Sequence, residues 1–226
     1  MLKLCKMTSY QEVLFMSLKL LIFGLPGSGK PTISRHITTY LSDRNWNSYR
    51  YSDHVILKKM YLADIEHKQF KLADHGAFDV TDFTVFDKAL NELEQEIIQG
   101  LLSVKQEEVV LIEFARNDYK WAFQQFSDQF LFDAYFLYLQ VDLEICKHRI
   151  RERITHPSTD DDFFVSDHIF NAYYNKDDDQ SIQQVLTEDF GINIQRVMII
   201  ENNGSLSAML NRVYKFVDIM CGFETM

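Results

Sequence analysis

Apolar and polar positions along this chain fall into two alternating patterns. Residues 18–23 (Leu18, Lys19, Leu20, Leu21, Ile22, Phe23) and 109–114 (Val109, Val110, Leu111, Ile112, Glu113, Phe114) are nearly continuous apolar runs. Such runs suit strands buried on both faces of a parallel sheet. Residues 48–52, 134–141 and 195–200 read as further strands. Between them apolar residues recur at helical spacing: Ile33, Ile37 and Leu41 in residues 32–41, and Phe86, Leu90, Leu93, Ile97 and Leu101 in residues 83–102. Residues 54–63, 118–132, 143–154, 181–190 (stopped by Gly191) and 205–217 complete the expected helices. Residues 64–82 are mixed and polar, and residues 157–179 are loop-like and very acidic. Alternating strands and helices imply an α/β three-layer sandwich, a parallel sheet with helices on both faces. Ligands in such sheets lie beyond the carboxyl ends of the strands. That rule selects residues 24–32, Asp53, residues 113–116 and residues 202–204 together.

The first of these segments carries recognisable chemistry. Gly24-Leu25-Pro26-Gly27-Ser28-Gly29-Lys30-Pro31-Thr32 meets the phosphate-binding pattern G-x-x-x-x-G-K-[ST] up to Lys30 and departs from it at Pro31. A strand precedes it and a helix follows, so backbone N–H groups and the positive end of a helix dipole converge where a polyphosphate binds. Gly24, Gly27, Ser28, Gly29, Lys30 and Thr32 are the candidate phosphate-binding residues, with Lys30 reaching the β/γ-phosphates. The competing reading, a plain glycine turn, needs neither three glycines nor a lysine. Proline at position 31 is tolerated in a first helical turn but supplies neither the hydroxyl nor the N–H expected there. Nucleotide binding is expected to be weakened and metal placement most affected.

Composition narrows the rest. At 226 residues with 46% hydrophobic content, one core is expected: a single domain over residues 16–226, with residues 1–15 as an N-terminal extension. A net charge of −10 argues against non-specific nucleic-acid binding. No run reaches the length of a membrane span, and the apolar start is interrupted by Ser17 and Lys19, so neither a membrane segment nor a targeting peptide is expected. Cys5, Cys146 and Cys221 imply no disulfide framework, and a cytoplasmic, reducing setting is expected. The oligomeric state is not set, and a homodimer is left open. Asn175-Lys176-Asp177-Asp178 matches a guanine-binding pattern, but it follows a polar, aromatic segment and no D-x-x-G lies upstream.

The order of phosphate loop, strand ending at Asp53, strand ending Glu113-Phe114-Ala115-Arg116, the basic run Arg149-Ile150-Arg151-Glu152-Arg153 and Glu201-Asn202-Asn203-Gly204-Ser205 resembles the P-loop nucleoside and nucleotide kinase-like superfamily. The resemblance covers nearly the whole chain from residue 18. It implies a five-stranded parallel core, ATP and Mg²⁺ as donor, and a lid carrying arginines over about residues 149–180. It also implies that Asp53 binds the acceptor and acts as base, that Arg149 and Arg153 close on the phosphates, and that Asn202, Asn203 and Gly204 lie beside the adenine. Read without the family, Asp53 is equally an N-cap for the helix at His54. Glu113 is a candidate metal ligand or base, as Asp53 is. Arg116 is either the partner of Glu113 or a phosphate clamp. The expected activity is ATP-dependent phosphoryl transfer to a small molecule, a nucleoside or nucleotide; the alternative is a nucleotide-binding pseudo-kinase or sensor with little turnover because of Pro31.

Overall fold

The computed structural model describes residues 17–101, 108–155, 163–175, 181–203 and 205–223. The expected extension over residues 1–15, the aspartates at 160–162 and 177–179, and Gly204 lie outside them. Strand β1 (Ser17–Phe23) leads through the glycine-rich turn into α1 (Lys30–Ser42), followed by β2 (Asn47–Ser52) and α2 (Asp53–Ala63). A short ribbon, β3 (Phe70–Leu72) and β4 (Phe78–Val80), precedes α3 (Thr84–Leu101) and β5 (Glu108–Phe114). Then come α4 (Tyr119–Phe123), α5 (Asp128–Leu131), β6 (Tyr135–Gln140) and α6 (Leu143–Thr155). Two short helical segments start at Asp167 and Ile182, and both widen into π-type turns before β7 (Val197–Glu201) and the last helix (Leu206–Cys221).

The five long strands form one parallel sheet in the order β2-β5-β1-β6-β7. Alternate side chains of β1 feed two cores, as the period of two requires. Leu20 and Ile22 pack with Ile33, Ile37 and Leu41 of α1 and with Val213 and Phe216 of the last helix. Leu21 and Phe23 pack on the opposite face with Leu90, Leu93 and Ile97 of α3. The three-layer α/β architecture is therefore as expected, and the predicted face of α3 is buried throughout. Among the described residues no helix is long and apolar enough to cross a membrane.

Local detail departs from the pattern in several places. Residues 64–82, given no element by the pattern, hold an antiparallel ribbon in which Phe70 and Val80 pair, anchored by the Asp64 carboxylate, which accepts from the N–H groups of Lys68, Gln69 and Phe70. The helix expected over residues 118–132 is two helices, because buried Glu94 of α3 accepts from the Ser127 N–H at 2.8 Å and takes that group out of any helix. Ser52, not Asp53, caps α2, its hydroxyl accepting from the His54 N–H at 3.3 Å. Ser205 stands at the N-cap of the last helix, but its hydroxyl bonds Ser207 instead of the backbone.

Candidate functional site

The glycine turn between β1 and α1 is held from below and from the side. Ser28 N–H donates to the Leu25 carbonyl at 3.0 Å, closing the turn. Gly29 takes φ +99° as the residue before α1, a left-handed conformation that Pro31 in the first turn then converts to helix. Gly27 has φ +83°, and a Cβ there would stand 2.5 Å from the Cys146 carbonyl of α6. Gly27→Ala is therefore expected to cost more than about 1 kcal/mol of stability, readable by chemical denaturation. Asn202 locks the loop from β7: its Nδ2 donates to the Ser28 carbonyl at 2.8 Å, while Arg149 donates to the Asn202 carbonyl at 2.8 Å.

Lys30 is buried and folded back on its own loop, Nζ donating to the carbonyls of Gly24 (2.8 Å) and Leu25 (3.0 Å). Burial pulls its pKa down to about 8, partly offset by the carboxylates of Asp53 and Glu113, while Arg153 lowers it further. A polyphosphate beside the ammonium would raise that value again. Below about pH 8 the lysine is already charged; above it, binding must bring a proton. Nucleotide affinity is thus expected to fall by up to about tenfold per pH unit above pH 8. Calorimetry in buffers of different ionisation heat should show uptake approaching one proton at about pH 9 and little at about pH 7.

The two carboxylates are both committed to arginines. Arg116 is 2% exposed and pairs with Asp53 through Nη1; its Nη2 donates to the Phe86 carbonyl at 2.6 Å and its guanidinium lies over the Phe86 ring. Burial works against its charge, but the Asp53 carboxylate overrides this and holds the guanidinium above its ordinary pKa. Glu113 is paired not with Arg116 but with Arg50 of β2, whose Nε and Nη2 both donate to Oε1, at 3.1 and 2.8 Å. Register explains the pairing. Ser52 stands opposite Glu113, and Arg50, two residues earlier, shares its face of the sheet. Sequence reasoning passed over Arg50; only the adjacency of β2 and β5 reveals it.

Lys30 and both carboxylates border one cavity of about 690 Å³ at the carboxyl edge of the sheet, which Arg50 and Arg116 do not line. Gly27, Gly29, Lys30, Asp53, Glu113 and Arg153 line it. Thr32 is not part of the lining; its hydroxyl accepts from Arg35 at 3.5 Å. Arg149 and Asn202 brace the loop without lining the cavity, and Arg151 is exposed and bonds Asp167. The outer wall is aromatic. The His54 ring stacks on Phe163 at 3.6 Å and on Phe78 of the ribbon at 5.6 Å. Tyr174, buried, donates to the Ala115 carbonyl at 3.4 Å, so part of the acid-and-aromatic segment is core and not a solvated loop.

Mg²⁺ is the group the fold implies, and the residues present do not fit it. Asp53 and Glu113, the metal candidates of the sequence, each already balance a guanidinium. Pro31 has no oxygen to offer from its side chain. Among the described residues, no three His, Cys, Asp or Glu side chains converge as a metal cluster.

A protein-family model described as "AAA domain" matches residues 20–182. The APS kinase CysC of Mycobacterium tuberculosis, solved with AMPPNP and APS, is similar in structure at TM-score 0.54 and 12% identity, over 90% of this chain and 98% of that one. Kti12 of Chaetomium thermophilum, solved with ADP-AlF3, is similar at TM-score 0.52 and 13% identity, over 88% of this chain and 98% of that one. No curated protein matches in sequence. The fold is that of the P-loop kinase-like proteins.

Proposed function

Because the chain belongs to the AAA-domain family, we propose that it binds ATP at residues 24–32 and transfers the γ-phosphoryl group to a small-molecule acceptor, a nucleoside or nucleotide. One observation carries this reading: the glycine loop, Lys30, Asp53, Glu113 and Arg153 line a single cavity. Phosphoryl transfer is mostly positioning and charge neutralisation, with little covalent work for the protein. Lys30 would exchange its two loop carbonyls for phosphate oxygens. Arg153, across the cavity, would neutralise charge that spreads over the moving group. Asp53, fixed in direction by Arg116, would accept the hydroxyl proton of the acceptor. Glu113, fixed by Arg50, is the second carboxylate at the same rim. The acceptor would lie against the ribbon and α2, where Leu57, Tyr61, Phe78 and Val80 form an apolar wall. Residues 16–226 would act as one domain, with residues 149–155 and 163–175 in its lid.

A second reading is favoured by one residue. Pro31 removes a hydroxyl and an N–H from the place where a phosphate and its ion are held, and each lost bond to a charged group is worth about 1.5–3 kcal/mol. The chain would then sense nucleotide and turn it over slowly. Product formation from ATP and a panel of nucleosides and nucleotides, run beside Pro31→Ser, separates the two. Turnover by both proteins supports the kinase. Turnover by Pro31→Ser alone supports the sensor. Failure of both proteins to bind ATP contradicts both readings.

A further inference from the structure

Resting on the nucleotide site proposed above, we infer that the cavity takes its nucleoside triphosphate as the metal-free polyphosphate, side-chain cations standing where a divalent ion would otherwise sit. Mg²⁺ demands near-octahedral oxygen ligands, and a P-loop normally supplies one from the hydroxyl that follows the lysine. Here that position is Pro31, in the first turn of α1 and part of the cavity wall. The next hydroxyl, on Thr32, lies about a third of a helical turn further round, outside the lining and against Arg35.

The carboxylates do not substitute. Oε1 of Glu113 accepts two N–H bonds from Arg50, and Asp53 holds the guanidinium of Arg116. Drawing either carboxylate to a metal would leave its arginine without its counter-charge, and for Arg116 that arginine is almost wholly buried. A dication entering beside groups already balanced meets little net negative charge.

The cations point the other way. Lys30 and Arg153 both line the cavity, and Arg153 disfavours the charge of Lys30. Two like charges facing one space are relieved by a polyanion and aggravated by another cation. Metal-free ATP carries more negative charge than its magnesium complex, so it answers that arrangement better.

The test is calorimetric titration of the full chain with ATP, once in excess EDTA and once in excess MgCl₂, repeated with Pro31→Ser. The expected result is that ATP binds the parent at least as tightly in EDTA as in magnesium, whereas magnesium tightens binding to Pro31→Ser by about tenfold. Tightening of the parent by magnesium beyond about threefold overturns the inference. So does a Pro31→Ser protein that remains indifferent to the ion, since residue 31 would then not be the cause. Absence of ATP binding in either buffer is a different outcome: it removes the nucleotide site itself, and the inference with it.

Discussion

Arg116→Met is expected to lose about 3–5 kcal/mol of folding free energy, a fall in Tm of roughly 10 °C for a chain of this size. The guanidinium is 2% exposed, and Asp53 beside it is 7% exposed. Methionine keeps apolar contact with the Phe86 ring but removes every donor. The Asp53 charge is then left in a dry setting, and the Phe86 carbonyl loses the bond at 2.6 Å that it accepts from Nη2. Removing one partner of a buried pair costs far more than removing both. The double variant Arg116→Met/Asp53→Leu should therefore recover most of the loss. Urea unfolding followed by circular dichroism gives both numbers. A single variant that loses less than about 1 kcal/mol would mean that the pair is solvated in solution.

Lys30→Met is the second large effect, and it should act on binding with little cost to the fold. The ammonium makes two hydrogen bonds to loop carbonyls that a polyphosphate would replace. Bonds between charged groups are worth about 1.5–3 kcal/mol each, so ATP affinity should fall at least about tenfold and by as much as several hundredfold. Stability should behave differently. Burial pulls the lysine from its ordinary 10.5 to about 8, which means that holding the charge inside costs on the order of 3 kcal/mol at neutral pH. The folded pKa is depressed, so this cost is fully present below about pH 8 and fades towards pH 10.5 as the unfolded chain also loses its proton. The parent should gain stability relative to Lys30→Met across that window. At neutral pH the variant, freed of the charge but leaving two carbonyls unpaired, should unfold close to the parent. Such a separation of stability from binding marks a residue kept for function.

The long elements were legible because their periodicity is strong. The apolar runs of β1 and β5, the 18-residue helix α3 and the glycine loop all stand where the pattern placed them. What escaped the sequence has a common physical reason, dependence on distant partners. Strands β3 and β4 are three residues each, too short for alternation to register, and Asp64 holds them from outside. The helix break before α5 is made by Glu94, thirty-three residues away. Arg50 is unremarkable until β2 is known to lie beside β5 and not beside β1, since chain order does not give strand order. Likewise Arg116 is three residues from Glu113, yet it turns to Asp53, sixty-three residues earlier in the chain. The rim of the sheet could be predicted, but the pairing of its charges could not.

Everything proposed for this chain depends on polyphosphate binding at the turn between β1 and α1. The most direct check is displacement of ATP from the full chain by inorganic tripolyphosphate, followed by calorimetry in the parent and in Lys30→Met. Tripolyphosphate is expected to compete with ATP for one site in the parent, and both ligands are expected to lose affinity together in the variant. ATP binding that tripolyphosphate does not displace, or that survives Lys30→Met unchanged, would contradict it.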